Sequence, residues 1–449
     1  MLYVHYHIEN KLTKKGLINI MKKKLLITLC VAMMGMTLFG CENEKLESPV
    51  AQSTTTGANE NNKKDNDNKD KKEDDKKDEP AKHFEKIGSE SAVSEFGVNL
   101  LKTCSADKNK LVSPLSVYVA LAMTTDGAAG NTLTELEETL GLTNDEMKDY
   151  VASYMNTMDG LGSNTITMAN SIWSNDDYGI EYKDNIIDDF ENCYKAELFN
   201  RSFDNDTLVE INGWVENNTD GMIKNLLDEI TPDAVMFLIN AITFEAQWEN
   251  EYEEDAIYSE DFTMEDGTTK EMEFMHSDEG LYLSDDNTTG VMKYYKDKRF
   301  AFVGLLPNEG ISMDEYVDSL TGEKINDLIN GAEQTTVITK IPEFSNDYKL
   351  DLVNNLMELG IDEAFTGDAD FSNFTESDNG MFISKVIHQT HIEVNREGTK
   401  AAAATAVEME EEDVSVVMPD NIVSLDRPFV YVIYDVDQDI PLFIGTMEK

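Results

Sequence analysis

The stretch from Gly398 to Pro428 reads GTKAAAATAVEMEEEDVSVVMPDNIVSLDRP, and the rest of the chain is best understood from it. It opens with small residues, continues through an acidic run that ends at Asp413, and then turns apolar near Val417. Alanine, glutamate and methionine are good helix formers, so propensity alone predicts a helix from Lys400 to Asp413. The rest of the sequence indicates whether this segment also has a second possible structure.

Composition excludes one class of partner. The chain has 449 residues and a formal net charge of −51. So negative a surface repels phosphate backbones, and nucleic acid is therefore not expected as a partner. The charge favours solubility and cationic partners and carries no information about the fold.

An export signal occupies the first part of the chain. Three lysines follow Met21, the expected start of translation, which would make residues 1–20 an upstream artefact. The apolar run from Leu25 to Phe39 is too short to span a bilayer. The segment Leu38-Phe39-Gly40-Cys41 resembles the lipobox of bacterial lipoproteins. It implies cleavage before Cys41, diacylation of its thiol and extracellular anchoring on the outer face of a bacterial cytoplasmic membrane. An ordinary cleaved signal with a chance cysteine is the alternative.

Three regions follow from composition. Residues 1–41 are the signal region, residues 42–83 a tether and residues 84–449 the folded domain. The tether is rich in Asn, Asp, Lys and Glu and almost free of large apolar side chains. Such a segment cannot bury enough surface to offset its ordering entropy, so we expect a flexible spacer.

The folded domain is predicted to be α+β. Helical periodicity dominates its first half, for example at Val93, Phe96 and Leu100. Strand-like segments come later, at 235–244, 300–306, 336–341, 381–394 and 430–434. Two near-continuous apolar runs, Phe237 to Ile242 and Val430 to Tyr434, are typical of strands covered on both faces. Helices first and strands later favour an α+β domain with a large sheet.

Motifs of catalysis and metal binding do not occur in the sequence. It has no GxSxG, Walker, GxGxxG or HExxH motif, so neither an enzyme nor a cofactor or metal site is predicted. His388 and His391 are three residues apart in a strand-like segment, so their rings should face opposite sides and cannot share a metal. Cys104 and Cys193 lack any metal-ligand spacing, and two free thiols are expected.

From Phe84 to Lys449 the chain resembles the serpin family. Each matching segment is weak alone, but together and in this order they are highly specific. They are 109–116 (NKLVSPLS), 127–130 (GAAG), 169–173 (ANSIW), 214–216 (WVE), 240–244 (NAITF) with Trp248, 341–344 (IPEF), 359–361 (LGI), 369–372 (ADFS), 385–388 (KVIH), the Gly398 stretch and 427–429 (RPF).

The resemblance implies about nine helices, three β-sheets and an exposed reactive-centre loop. It also implies a monomeric suicide inhibitor of serine endopeptidases, with cysteine endopeptidases as a second target class. The target protease cleaves the loop and forms a covalent acyl complex. The loop then inserts into the main sheet as a new strand and carries the protease with it.

The loop sequence suits insertion. Period-2 alternation places Thr399, Ala401, Ala403, Thr405 and Val407 on the inward side, and all are small or of modest size. The resemblance identifies Glu397, Gly398 and Thr399 as the start of the hinge, where glycine can swing through conformations closed to other residues. The helix predicted over Lys400 to Asp413 is then one state of a segment that can also become a strand.

Two further groups of residues follow from the resemblance. Ser113, Ser116, Asn240 and His388 match a polar cluster beneath the sheet opening, so His388 is expected to be structural. At the top of the main sheet the family pattern has an acidic and a basic residue where this chain has Arg396 and Glu343. We expect a charge-reversed pair near Trp248; two unrelated surface charges are the alternative.

The scissile bond is left between two positions. The family's spacing, counted from Gly398, gives Glu412-Asp413, which suits acid-preferring proteases. The same kind of count back from Pro428 gives Val417-Met418, which suits elastase- or subtilisin-like proteases. The count from Gly398 is preferred, because the length of the inserted segment determines how far the protease is carried. The competing functions are a non-inhibitory serpin-fold binding module and a lipoprotein enzyme.

Overall fold

The computed structural model describes residues 90–104, 108–158, 166–231, 233–376, 380–399 and 421–449. These residues all belong to one compact unit, Lys77–Lys449. Within the described ranges there are nine α-helices, as expected from the sequence. They are α1 (Glu90–Thr103), α2 (Pro114–Gly127), α3 (Gly130–Leu140), α4 (Asn144–Met158), α5 (Asp184–Asn192), α6 (Asn205–Asn218), α7 (Met313–Ser319), α8 (Gly322–Asn330) and α9 (Val353–Glu358).

The strands of the same ranges, together with these helices, confirm the α+β class. They are β1 (Leu111–Val112), β2 (Ile166–Asn175), β3 (Glu197–Arg201), β4 (Met236–Phe244), β5 (Ala246–Gln247), β6 (Ile257–Thr263), β7 (Thr269–Ser284), β8 (Thr288–Tyr294), β9 (Phe300–Pro307), β10 (Glu333–Pro342), β11 (Phe344–Asp351), β12 (Ile383–Asn395), β13 (Gly398–Thr399), β14 (Asn421–Ser424), β15 (Phe429–Asp435) and β16 (Ile440–Met447).

Hydrogen bonding groups the described strands into two sheets. The large sheet has the order β1-β16-β15-β9-β8-β7-β10-β14, with β6 also beside β7. The second, which we call the central sheet, has the order β3-β2-β4-β12-β13-β5, with β11 also beside β12. The resemblance implied three sheets. Strand β7, 16 residues long, pairs with β6 near its start and with β8 near its end, and it thereby joins two of them into one ladder.

Helix α2 lies against both sheets, since it contacts β4 of the central sheet and β16 of the large sheet. All of its residues are buried, which explains why its apolar residues are not confined to one face. Ser113 caps its start by accepting a hydrogen bond from the Ser116 amide, and Pro114 follows at the first helical position. This cap fixes both serines beneath the central sheet.

The apolar runs predicted as strands are β4 and β15, and every residue of both strands is buried. Helix α2 covers one face of β4. A second apolar cluster covers the other face, where Ile211 and Val215 of α6 pack with Phe237 and Ile239 of β4. The prediction of a strand buried on both faces is therefore confirmed for β4.

Two further observations bear on the sequence predictions. Cys104 and Cys193 are not joined to each other by a disulfide, and Cys193 is a free thiol as predicted. None of the helices in the described ranges is long and apolar enough to cross a membrane.

Candidate functional site

The candidate functional site is the line of contact between β4 and β12, the two parallel strands in the middle of the central sheet, which we call the seam. The strands pair from Met236 opposite Ile383 to Thr243 opposite His391. Beyond this point β12 pairs with β13, and β13 pairs in turn with β5, which continues β4. We call this end the entrance, because a short strand already lies between the two sides of the seam.

Gly398 is required at the entrance for two reasons. Its φ angle is +154°, in a region that side chains disfavour. A Cβ atom at this position would also lie 2.1 Å from the carbonyl oxygen of Ala246 on β5. The turn before it is closed by the side-chain oxygen of Asn395, which accepts from the amides of Glu397 and Gly398 at 3.0 and 3.2 Å. Only glycine lets β13 approach β5 this closely.

Thr399 is fully buried at the entrance and hydrogen bonds through its hydroxyl group to the phenol of Tyr295. The ring of Tyr295 stacks on Trp248 with 4.5 Å between centroids. The indole N–H of Trp248 donates to the carbonyl oxygen of Asn395 at 2.8 Å. Both ends of the hinge turn are therefore fixed to one pair of stacked rings.

A buried ion pair lies behind these rings. The ammonium group of Lys293 on β8 is 2.6 Å from the carboxylate of Glu279 on β7. The same ammonium lies over the rings of Tyr252 and Trp248, 4.5 and 5.6 Å from their centroids. A buried lysine needs such partners, because an isolated charge inside a protein is costly. The large sheet thus supports the aromatic rings of the entrance.

Arg396 and Glu343 meet at the entrance through the backbone amide of Arg396 and the carboxylate of Glu343, and not through the guanidinium group. The backbone amide of Arg396 donates to Glu343 Oε1 at 3.2 Å, while its guanidinium Nε lies 3.7 Å from Glu397 Oε1. Burial raises the pKa of Glu343, and the hydrogen bond and positive charge of Arg396 oppose this rise. The charge-reversed pair expected from the sequence therefore takes the form of an amide–carboxylate bond assisted by charge.

A hydrogen-bonded row of polar residues crosses the seam further along. We define the polar cluster as the buried residues Ser113, Ser116, Asn170, Asn240 and His388. Asn170 on β2, Asn240 on β4 and His388 on β12 stand opposite one another in register. The Asn240 amide nitrogen donates to Asn170 Oδ1 at 2.6 Å, and its oxygen accepts from the Ser116 hydroxyl group. The resemblance had named four of these five residues.

His388 holds the two sides of the seam together. Its Nε2 accepts from the Ser113 amide at 3.1 Å, so the ring proton belongs on Nδ1, which lies 3.3 Å from Asn240 Oδ1. Burial lowers the pKa of His388 from 6.5 to about 3. The ring is therefore neutral at physiological pH, and the whole cluster is uncharged.

His391 lies apart from this cluster. Its Nδ1 is 2.6 Å from the carboxylate of Asp347 on β11, and only His388 reaches the buried network. The two histidines lie in different environments, as alternation along the strand predicts.

The other residues predicted from the sequence lie outside the described ranges. They are Cys41, the signal and tether regions, Ala401, Ala403, Thr405, both candidate scissile bonds (Glu412-Asp413 and Val417-Met418) and the helix expected over Lys400 to Asp413.

Sequence reasoning missed several residues of this site. Asn170 was within a matched segment, but nothing in that segment assigned it a contact. A lysine inside the apolar strand VMKYY, at Lys293, is a usable signal of a buried ion pair. Tyr295 and Asn395 carry no signal, because their roles depend on the position of β13.

The family described as serpin (serine protease inhibitor) matches residues 91–449. The chain belongs to the serpin family. Its similarity to solved serpins includes the native state of the thermophilic serpin tengpin, with a TM-score of 0.76 at 36% identity over 82% of this chain and 97% of that chain. The latent state of tengpin matches with a TM-score of 0.70 at 37% identity, over 82% and 100%.

Curated serpins give matches of similar extent. Ipis-1 of Ixodes persulcatus is 31% identical over 350 residues, which is 76% of this chain and 92% of that protein. Human thyroxine-binding globulin is 31% identical over 375 residues, which is 79% of this chain and 88% of that protein. The second relative is named for binding thyroxine, so membership of the family leaves two kinds of function open.

Proposed function

We propose that this serpin is a suicide inhibitor of serine endopeptidases, with cysteine endopeptidases as a second target class. The observation that carries this proposal is the entrance itself. Gly398 and Thr399 already pair as a strand between β12 and β5, in line with the seam into which a cleaved loop would extend. The chain after Thr399 supplies small residues at alternate positions, so insertion can continue without steric resistance.

The proposed reaction begins when the hydroxyl oxygen of the protease serine attacks the carbonyl carbon of the scissile bond. That peptide bond breaks, the amine leaves with a proton, and an ester joins the protease to the new end of the loop. The loop then inserts between β4 and β12. A strand hydrogen-bonded on both sides gains on the order of ten hydrogen bonds at ~1 kcal/mol each, which makes the change irreversible.

The polar cluster is the proposed control of this insertion. His388 and Asn240 lie on the two strands that must separate, and the contact between them must break as the seam opens. Both side chains are buried, so each must find a new partner in the opened sheet. The cluster therefore opposes opening until strand insertion supplies compensating bonds.

Complex formation with proteases tests the proposal. Mixing the protein with an elastase-like and with a glutamate-specific protease should give a complex that survives SDS with one of them. Mass spectrometry of the released peptide then distinguishes cleavage at Glu412-Asp413 from cleavage at Val417-Met418. An intact loop with every protease, or cleavage without a complex, would exclude inhibition.

A non-inhibitory binding module is the second candidate, favoured by the similarity to thyroxine-binding globulin. It predicts cleavage of the loop without a covalent complex.

We further propose that the protein is exported and anchored through a lipid on Cys41. A Cys41→Ser variant should move from the membrane fraction to the medium in a bacterial expression host. Retention of that variant in the membrane fraction would exclude the lipid anchor.

A further inference from the structure

A pocket of about 310 Å³ lies where three connections of the large sheet meet. One connection follows β6 at Thr263, a second joins β9 to α7, and the third contains Arg427 and precedes β15. Its volume is within the range of small-molecule sites. The pocket shares no residue with the seam or the entrance.

Arg427 is the basic residue of this pocket, and its half-buried guanidinium group has no direct hydrogen-bond or ion-pair partner among the described residues. Two of the nearby carboxylates are engaged elsewhere, since Asp426 lies 2.9 Å from Lys340 and Glu265 lies 3.0 Å from Lys108. The third, Glu309, acts on Arg427 through its charge without a direct contact. Burial lowers the pKa of Arg427, and the negative charges of Asp426 and Glu309 oppose this lowering.

An arginine that forms no direct ion pair is unexpected in this chain, which has 88 acidic and 37 basic residues. A guanidinium group presents a planar fork of donors that fits a carboxylate with two parallel hydrogen bonds. Around it the pocket is largely apolar, with Met264, Pro307, Ile311 and Pro428 in its lining. The net charge of −51 disfavours anions that carry several charges.

We propose that this pocket binds a small organic monocarboxylate with a short aliphatic or aromatic tail, held by Arg427 at the carboxylate and by the apolar lining at the tail. The bound molecule joins all three connections, so it stabilises the folded chain in proportion to its concentration. Glu309 also lines the pocket and is exposed. Its negative charge repels the carboxylate of the ligand, so removal of this charge should strengthen binding.

Isothermal titration of the whole protein with hexanoate, and with neutral hexanamide as a matched probe, tests the site. We expect hexanoate to bind at least about ten-fold more tightly than hexanamide. Arg427→Gln should abolish this difference, and Glu309→Gln should tighten hexanoate binding. Arg201→Gln is the control, because Arg201 is an exposed arginine paired with Glu210.

Equal binding of the two probes, or no measurable binding of hexanoate, would overturn the proposal. Unchanged hexanoate binding in Arg427→Gln would do the same. If Arg427→Gln fails to fold, the comparison of the two probes and the Glu309→Gln variant still decide the question.

Discussion

The entrance and the polar cluster, two positions along the seam, are held by different interactions. At the entrance, stacked rings, a buried ion pair and a glycine fitted against β5 hold the hinge in place. At the polar cluster, neutral side chains link β2, β4 and β12 through hydrogen bonds alone. Packing tolerates little change in shape, whereas a hydrogen-bonded network can exchange partners. We therefore expect the entrance to decide whether insertion begins, and the polar cluster to decide how readily the seam opens.

The largest effect is expected from Thr399→Arg. The side chain at this position is fully buried, and burying a charge without a partner costs several kcal/mol. Proteases should still cleave the loop, but the covalent complex should fall by about 100-fold or more, measured on denaturing gels. Thr399→Ser is the matched control and should still form the complex. Normal complex formation by Thr399→Arg would show that this residue does not enter the sheet.

The next effect concerns His388 and pH. The pKa of His388 is about 3 in the folded protein, against its ordinary value of 6.5. The unfolded chain therefore binds a proton at this ring at a higher pH than the folded protein does. The stability that the neutral ring contributes is complete above pH 6.5 and is lost as the pH falls from 6.5 towards 3. Between pH 7 and pH 5 the loss amounts to about 2 kcal/mol.

Urea unfolding at pH 7 and at pH 5 measures this loss in the free energy of unfolding. His388→Gln should be less stable at pH 7 but should lack this part of the pH dependence, while His391→Gln should keep it. Equal pH dependence in the wild type and His388→Gln would contradict a neutral, buried His388.

A smaller effect is expected from Tyr295→Phe, which removes the phenol that contacts Thr399 but keeps the stacked ring. The loss of one hydrogen bond, about 1 kcal/mol, should speed amide hydrogen exchange at the hinge about five-fold. Tyr252→Phe makes the same chemical change on a neighbouring ring and should leave the hinge unaffected. Equal exchange rates in the two variants would show that the hydrogen bond between Tyr295 and Thr399 does not stabilise the hinge.

The smallest effect is expected from Arg396→Glu. The substitution would replace a positive charge that acts on Glu343 with a negative one, but Arg396 is exposed, and such pairs contribute under about 1 kcal/mol. Slow polymerisation on warming, visible on native gels, is the expected result, and adding Glu343→Lys should reverse it. The pairing is excluded if Arg396→Glu stays monomeric and inhibits normally while Glu343→Lys alone also changes nothing.

Sequence patterns predicted more of the fold than of the site. The apolar runs in β4 and β15 predict buried strands because burial on both faces leaves no room for alternation. The polar residues Ser113, Ser116, Asn240 and His388 were grouped only through the family resemblance, since their separation along the chain gives no hint of contact.

What escaped prediction depends on geometry that sequence does not encode locally. The contact of Arg396 with Glu343 goes through a backbone amide, which any residue possesses. The role of Tyr295 depends on a two-residue strand, Gly398–Thr399, too short for any periodic signal. The joining of two expected sheets depends on the length of β7, which is a matter of register across the whole ladder.

The stacking of Trp248 on Tyr295 has a spectroscopic consequence. The chain has three tryptophans, and the other two, Trp173 and Trp214, lie together 6.4 Å apart beside Phe199. Trp248 alone donates its indole N–H to the hinge. A protein with phenylalanine at positions 173 and 214 would thus carry a single tryptophan, which lies at the entrance and can be excited selectively over the 17 tyrosines. Its emission would report the moment at which the hinge moves, without any added label.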